Sequence, residues 1–267
     1  MVFTEISSRK NEKVLRAARL CDKKVRDKEG LFFTEGFKLL EEALSSGLSV
    51  DSIFFTDKAL SLYGSLIEKS GCENLYLVTD EVYQKLTAED SPQGIFCCIR
   101  KKENTEFDEN SIAEGGFLLL EDIQNPLNLG AIFRCAYALG CEKIVLTKEC
   151  VDVYNPKVIR GGMGSIFKTG FHYCDSICDF IEKLQKKNNR VLCTHLHSQS
   201  KVLGSFDFLP SDSIVIGNEG RGIKETTAAV SSGSVIIPMQ EGAESLNAAT
   251  AASVILWEKN RKKLLNI

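Results

Sequence analysis

Five polar side chains stand where apolar runs of this chain break off. Asn128 and Arg134 lie in the segment that opens Asn125-Pro126-Leu127-Asn128-Leu129-Gly130. Glu219 lies in Gly217-Asn218-Glu219-Gly220-Arg221-Gly222, and Ser245 and Asn247 follow Ile237-Pro238. Ligand sites in open α/β sheets sit where strands end, so three such segments in one domain point to a composite site. Its chemistry would rest on hydrogen bonds and fixed charge, because Glu219 only accepts and the Arg134 guanidinium stays charged. The three histidines flank no Ser or Cys in a nucleophile pattern, which argues against triad hydrolysis. Cys193, His195 and His197 alternate along one strand, but no second ligand pair accompanies them, which argues against a metal.

Each segment also has a plain structural reading. Pro126 fits a helix start and Asn128 suits an N-cap. Beyond them, Ala131, Ile132, Cys135, Ala136 and Leu139 form one apolar stripe, with Gly130, Phe133 and Tyr137 on the other side beside Arg134. A helix apolar on two sides needs two surfaces to cover it, its own sheet and another such as a second subunit. The glycine loop after Ser213–Ile216 reads G-x-x-G-x-G. That order is neither a dinucleotide fingerprint nor a Walker loop. There Glu219 could hold a donor such as Arg134 or simply orient the loop. Ser245 could be a mere N-cap of a helix that runs from Leu246 to Trp257 and is apolar on every side. Asn247 is a poor early-helix residue without a partner.

Alternation of strands and helices from 117 onward predicts an α/β domain with a mainly parallel sheet. The expected strands are 117–121, 143–147, 190–195, 213–217 and 234–237, with helices near 128–139 and 176–187. A smaller α/β unit precedes it. Its helices are expected at 11–20, 36–48 and 60–69, and its strands at 31–34, 50–56, 75–78 and 95–99. The polar stretch 101–114 is the expected linker, dividing the chain into domains 1–105 and 106–267.

Hydrophobic residues make up 43% and charged residues 26%, as in an ordinary soluble globular protein. No apolar run approaches membrane-spanning length and residues 1–10 hold no signal core, so a cytoplasmic protein is expected. The ten cysteines lie largely in apolar patterns without a CxxC pair, which reads as buried free thiols. The net charge of −3 gives no global case for nucleic acid. Residues 9–28, however, hold nine Lys/Arg against three acids. Arg9, Lys10, Lys13, Arg16, Lys23, Lys24 and Arg26 form a candidate phosphate-binding patch, or else a solvated helix face.

At these residues the chain resembles the SpoU (TrmH) family of RNA ribose 2'-O-methyltransferases, in the SPOUT superfamily. Asn128 and Arg134 look like its first motif, Glu219 like its second, and Ser245 and Asn247 like its third. Asn155–Arg160 and Gly164 look like its intermediate stretch. Gly161-Gly162 and the Ala-Ala-Thr-Ala after Asn247 depart from the family pattern without removing a polar motif group. The resemblance implies a parallel sheet with a deep trefoil knot and a homodimer whose site is completed across the interface. It implies S-adenosylmethionine held by backbone groups at Gly217, Ile237 and Leu246, with Thr194 nearby. Transfer of its methyl group to a ribose hydroxyl would follow, with Arg134 assigned the proton and Asn128, Glu219, Ser245 and Asn247 orienting the groups. The N-terminal unit resembles the family's substrate-binding domain, which points to ribosomal rather than transfer RNA. The alternative is an RNA-binding ribosome-assembly factor that keeps the fold without catalysis.

Overall fold

Ser213–Ile216 is buried at every position, and in the computed structural model it is a central strand (β11) of a seven-stranded parallel sheet. The structure describes residues 1–102, 116–195, 200–243 and 245–266. The other strands of this sheet are β6 (Leu118–Leu120), β7 (Lys143–Thr147), β8 (Gly170–Cys174), β9 (Val191–Thr194), β10 (Lys201–Val202) and β12 (Gly233–Ile236). Their order is β10-β12-β9-β11-β6-β7-β8. Strands covered on both faces by helices read as continuous apolar runs, and Leu118-Leu119-Leu120 and Ser213-Ile214-Val215-Ile216 do so. Strands β8 and β10, with their mixed composition, have no counterpart in the sequence-based assignment, and neither does helix α9 (Glu225–Val230).

Two helices carry the motif side chains. Helix α6 (Pro126–Ala138) is capped by Asn125, whose side chain accepts from the Leu127 N–H, and Pro126 takes the first helical position. Asn128 is therefore not the cap; it sits inside the first turn, 8% exposed. Helix α10 (Ala248–Leu265) begins two residues later than expected, because Asn247 caps it by accepting from the N–H groups of Ala249 and Thr250. Ser245 is not the cap. Nor is α10 buried all round: Ala248, Ala252, Ile255 and Leu256 face inward, whereas Trp257 is 44% exposed. Of the two apolar sides expected for α6, only the placement of Phe133 is corrected. Ile132, Phe133 and Ala136 share the buried side, and Leu127, Arg134 and Tyr137 are exposed together.

A second compact unit is made of residues 1–102 and Tyr154–Phe167. The expected boundary at 105/106 and residues 103–114 of the expected linker 101–114 fall outside the described residues. This unit contains a five-stranded mixed sheet of β1 (Thr4–Ile6), β2 (Leu31–Glu35), β3 (Val50–Phe55), β4 (Leu75–Val78) and β5 (Ile95–Arg100), in the order β1-β4-β3-β5-β2. Its helices are α1 (Glu12–Ala18), α2 (Lys23–Glu29), α3 (Phe37–Ser45), α4 (Asp57–Lys69), α5 (Asp80–Tyr83) and α7 (Pro156–Gly162). The short α2 is too polar to show a periodic stripe. Asp22 caps its start and Gly30, at φ 65°, ends it. All ten cysteines are free thiols, most of them buried. No helix among the described residues is long and apolar enough to cross a membrane.

Candidate active site

Three adjacent strands end together. Thr194 closes β9, while Gly217 and Ile237 follow β11 and β12, and the order β12-β9-β11 sets these ends side by side. With Ser245 and Leu246 they line a cavity of about 420 Å³. Cofactor and small-molecule sites run from about 300 to 1,000 Å³, so the space suits one such ligand. The Thr194 hydroxyl is already committed, donating to the Val215 carbonyl at 3.0 Å. Ligand contacts from this position therefore fall mainly to the backbone.

The loop after β11 is held in a tight fold. Asn218 and Gly222 exchange two backbone hydrogen bonds, of 3.0 and 2.9 Å. The Asn218 carboxamide accepts from the N–H groups of Gly220 and Arg221 and donates to the Asp122 carbonyl at 2.7 Å. Gly217 is forced by this return. A Cβ there would lie 2.3 Å from the Gly222 carbonyl carbon and 2.5 Å from the Ile223 nitrogen. Gly217 lines the cavity with bare backbone, and a side chain there would push the returning loop away.

A chain of hydrogen bonds joins the three motif segments. Asn247 Nδ2 donates to Asn128 Oδ1 at 2.8 Å, and Asn128 Nδ2 donates to Glu219 Oε1 at 3.0 Å. The Glu219 carboxylate also accepts from the backbone N–H groups of Asn125 at 3.1 Å and Gln124 at 3.3 Å. Glu219 thus ties the β11 loop to the start of α6, and Asn128 ties α6 to the start of α10. Desolvation pushes the Glu219 carboxyl up. Hydrogen bonds from Asn128 and from the N–H groups of Glu219, Asn125 and Gln124 outweigh it and hold the pKa below the ordinary value. A lowered folded pKa stabilises the protein fully above the unfolded value and loses that effect as pH falls through the folded one. Glu219→Gln replaces one accepting oxygen with a donor facing other donors. The variant is expected to melt below the wild type at neutral pH, with the gap closing as pH falls through the carboxylate range. Thermal unfolding across pH measures this, and a pH-independent gap would remove the charge from the account.

Arg134 does not join this set. Six residues beyond Asn128, it lies about 240° around the helix. It is exposed, and no hydrogen bond or ion pair links it to another described residue. Ser245 is exposed on the cavity wall. His195 and Glu225 also reach the cavity, with Nε2 and Oε1 3.6 Å apart. The sequence offers His195 only as a metal ligand, although its position one residue past Thr194 signals the cavity. Cys193 is buried, and His197 lies outside the described residues. Glu121, directly after the three leucines of β6, was also missed. It is 1% exposed and accepts from the Thr227 hydroxyl at 2.6 Å and the Lys224 N–H at 2.9 Å, fixing the start of α9.

In the first unit Arg9, Lys10, Lys13, Arg16, Lys23 and Lys24 are exposed. Arg26 is a correction. It is 2% exposed, and its Nη1 donates to the carbonyls of Leu20 at 2.9 Å and Cys21 at 2.8 Å, so it pins the turn between α1 and α2 and cannot meet a phosphate. Arg160, from the intermediate stretch, pairs with Glu89. Gly164, at φ 79°, leaves room for Glu42, whose Cβ would be 2.8 Å from any added Cβ.

Known proteins resemble this chain over nearly its whole length. The SpoU rRNA Methylase family matches residues 116–257, and the MRM3-like substrate binding domain matches residues 11–97. A tRNA/rRNA methyltransferase of Synechocystis sp., itself uncharacterized, is 31% identical over 98% of this chain and 95% of its own. The 23S rRNA (guanosine(2553)-2'-O)-methyltransferase RlmP of Bacillus subtilis is 28% identical over 95% of this chain and 98% of its own. The crystal structure of an AdoMet-bound rRNA methyltransferase from Sinorhizobium meliloti superposes with a TM-score of 0.84 at 27% identity, covering 98% of each chain.

Proposed function

Since the chain belongs to the SpoU rRNA Methylase family, we propose that it transfers a methyl group from S-adenosylmethionine to a ribose 2'-hydroxyl of ribosomal RNA. The observation that carries this reading is the cavity at the ends of β9, β11 and β12, with the Asn247–Asn128–Glu219 chain beside it. The bare backbone at Gly217 and the mixed apolar and polar wall fit a nucleoside with a charged tail.

Bound S-adenosylmethionine supplies a methyl group on a sulfonium, a leaving group that needs neither acid nor metal. The protein must bring the hydroxyl in line with that methyl and remove its proton. Backbone groups at Gly217, Ile237 and Leu246, beside Thr194, hold the donor. Asn128, Glu219 and Asn247 keep the three motif segments in register, so the acceptor side does not have to be organised at each turnover. Ser245 offers a hydroxyl at the same wall. Arg134 orients the ribose and its phosphate. A guanidinium is a poor base, so proton removal through a substrate phosphate held by Arg134 fits its chemistry better than direct uptake.

The reading includes a homodimer. Leu127 and Tyr137 are 60% and 47% exposed on the α6 face that carries Arg134, and a partner covering that face would bring the arginine to its own site. It also includes a trefoil-knotted second domain, an RNA-binding first domain and a cytoplasmic location. Arg9, Lys10, Lys13, Arg16, Lys23 and Lys24 supply the phosphate contacts, without Arg26. Mapping 2'-O-methyl positions in ribosomal and transfer RNA with and without the gene tests the reading. A ribosomal position should lose its methyl group and regain it on incubation with protein and tritiated S-adenosylmethionine. An unchanged map, or a loss confined to transfer RNA, overturns it.

A further inference from the structure

A second cavity, of about 280 Å³, opens in the first unit between α1 and the sheet. We propose that it receives one unstacked base of the RNA substrate while Lys13 and Arg16 meet the adjoining phosphates. This rests on the reading above that the substrate is RNA. Size limits the occupant. The cavity exceeds the ~150 Å³ that accepts a benzene ring, and falls short of the ~300 Å³ at which drug-sized sites begin. A single planar heterocycle is the class of ligand in between.

The wall offers what a base edge requires. Phe54 and Leu20 make an apolar floor, both about 1% exposed. Around them stand the Tyr76 hydroxyl, the Asn74 carboxamide and the Ser52 hydroxyl. Asn74 Nδ2 donates to the Asp51 carbonyl at 2.9 Å, which fixes the amide. Its Oδ1 is left with only a 3.5 Å contact to the Tyr76 hydroxyl, so it can accept from a ligand. RNA is read in sequence by splaying bases out, stacking them on rings and bonding their edges.

The cations at the mouth can change partners. Lys13 Nζ donates to the Tyr76 hydroxyl at 2.9 Å and lies 4.4 Å from the ring centroid. Lys13 is exposed, so a move to a phosphate frees the ring face. Arg16 pairs with Glu29 at 2.7 Å and Asp51 at 3.8 Å, with its side chain 53% exposed. Exposed ion pairs are weak, and a phosphate accepts a guanidinium as well as a carboxylate does. Arg9, Lys10, Lys23 and Lys24, exposed in the same segment, add backbone attraction without base preference.

The test uses the full chain carrying Asn74→Ala or Tyr76→Phe, and ribosomal RNA from cells lacking the gene. Binding is measured without S-adenosylmethionine, then initial rates with it. Each variant is expected to raise the RNA Kd and KM about tenfold, with kcat and S-adenosylmethionine affinity unchanged. 4-Thiouridine-substituted RNA should crosslink to the peptide bearing Tyr76. A lowered Tm with unchanged Kd in both variants, or crosslinks confined to other peptides, overturns the proposal. Because binding is read without transfer, a wild-type protein that binds this RNA but does not methylate it would sink the methyl-transfer reading alone.

Discussion

Arg134→Ala is expected to slow methyl transfer at least about a hundredfold, the scale set by losing a positioning group. S-adenosylmethionine affinity should stay within about twofold, because Arg134 is absent from the cavity wall. Among the described residues no hydrogen bond or ion pair holds the side chain, so stability should hold. A tritium-methyl assay beside calorimetry reads both quantities. Transfer at the wild-type rate would remove Arg134 from the mechanism.

The same variant distinguishes a shared site from a private one. Mix Arg134→Ala with a variant that cannot bind the donor, such as Gly217→Ala, and let subunits exchange. In the proposed homodimer, each parent is expected to be inactive. In the mixed dimer, the Arg134→Ala subunit keeps its donor cavity and receives an arginine from its partner. Half of the dimers then carry one working site of two, or about a quarter of wild-type activity, given the isologous symmetry of a two-fold dimer. If Arg134 served its own subunit, the mixture would stay inactive. The helix geometry favours the first outcome: Arg134 lies about 240° from Asn128, whose amide is tied to Glu219.

The sequence carried the type of fold better than the internal wiring of the candidate site. Strands such as Lys143–Thr147 and Leu75–Val78 were legible because they are short apolar runs with β-branched or aromatic residues, bounded by polar ones. Strand β8, Gly170–Cys174, was not, since His172 and Tyr173 break its apolar run. Thr194, Gly217, Ile237, Ser245 and Leu246 meet at one cavity because β9, β11 and β12 are neighbours, and no local pattern encodes neighbour order. Asn128 was misread as a cap because Asn125 and Asn128 both suit that role. Only the Glu219 carboxylate, far away in sequence, tells them apart. Arg26 looked like its exposed neighbours because charge spacing does not reveal which side a two-turn helix hides. Membership in the family supplied the function; the residues alone had reached only a composite strand-end site.

Gly217→Ala is expected to have the largest effect on the donor site, and neighbouring glycines provide the scale. The Gly217 Cβ would meet backbone of Gly222 and Ile223 at 2.3 to 2.5 Å, and backbone cannot swing aside as a side chain can. The loop must open, which breaks the Asn218–Gly222 hydrogen bonds and moves Glu219 away from Asn128. S-adenosylmethionine affinity should fall well over tenfold, with transfer lost alongside it. Gly222 differs. Nothing lies within 4 Å of its Cβ position, but its φ of 70° is left-handed, so Gly222→Ala meets strain without collision. That strain is about 1–2 kcal/mol, which predicts a moderate loss of affinity or of melting temperature. Gly220 has only the Asn218 side-chain oxygen, 3.8 Å away, and no positive φ, so Gly220→Ala should bind the donor within about twofold of the wild type. Calorimetry on the three variants should therefore rank them 217, 222, 220 in order of damage. Equal tolerance at 217 and 220 would mean that the loop does not need its close return, and that the donor is held elsewhere in the cavity.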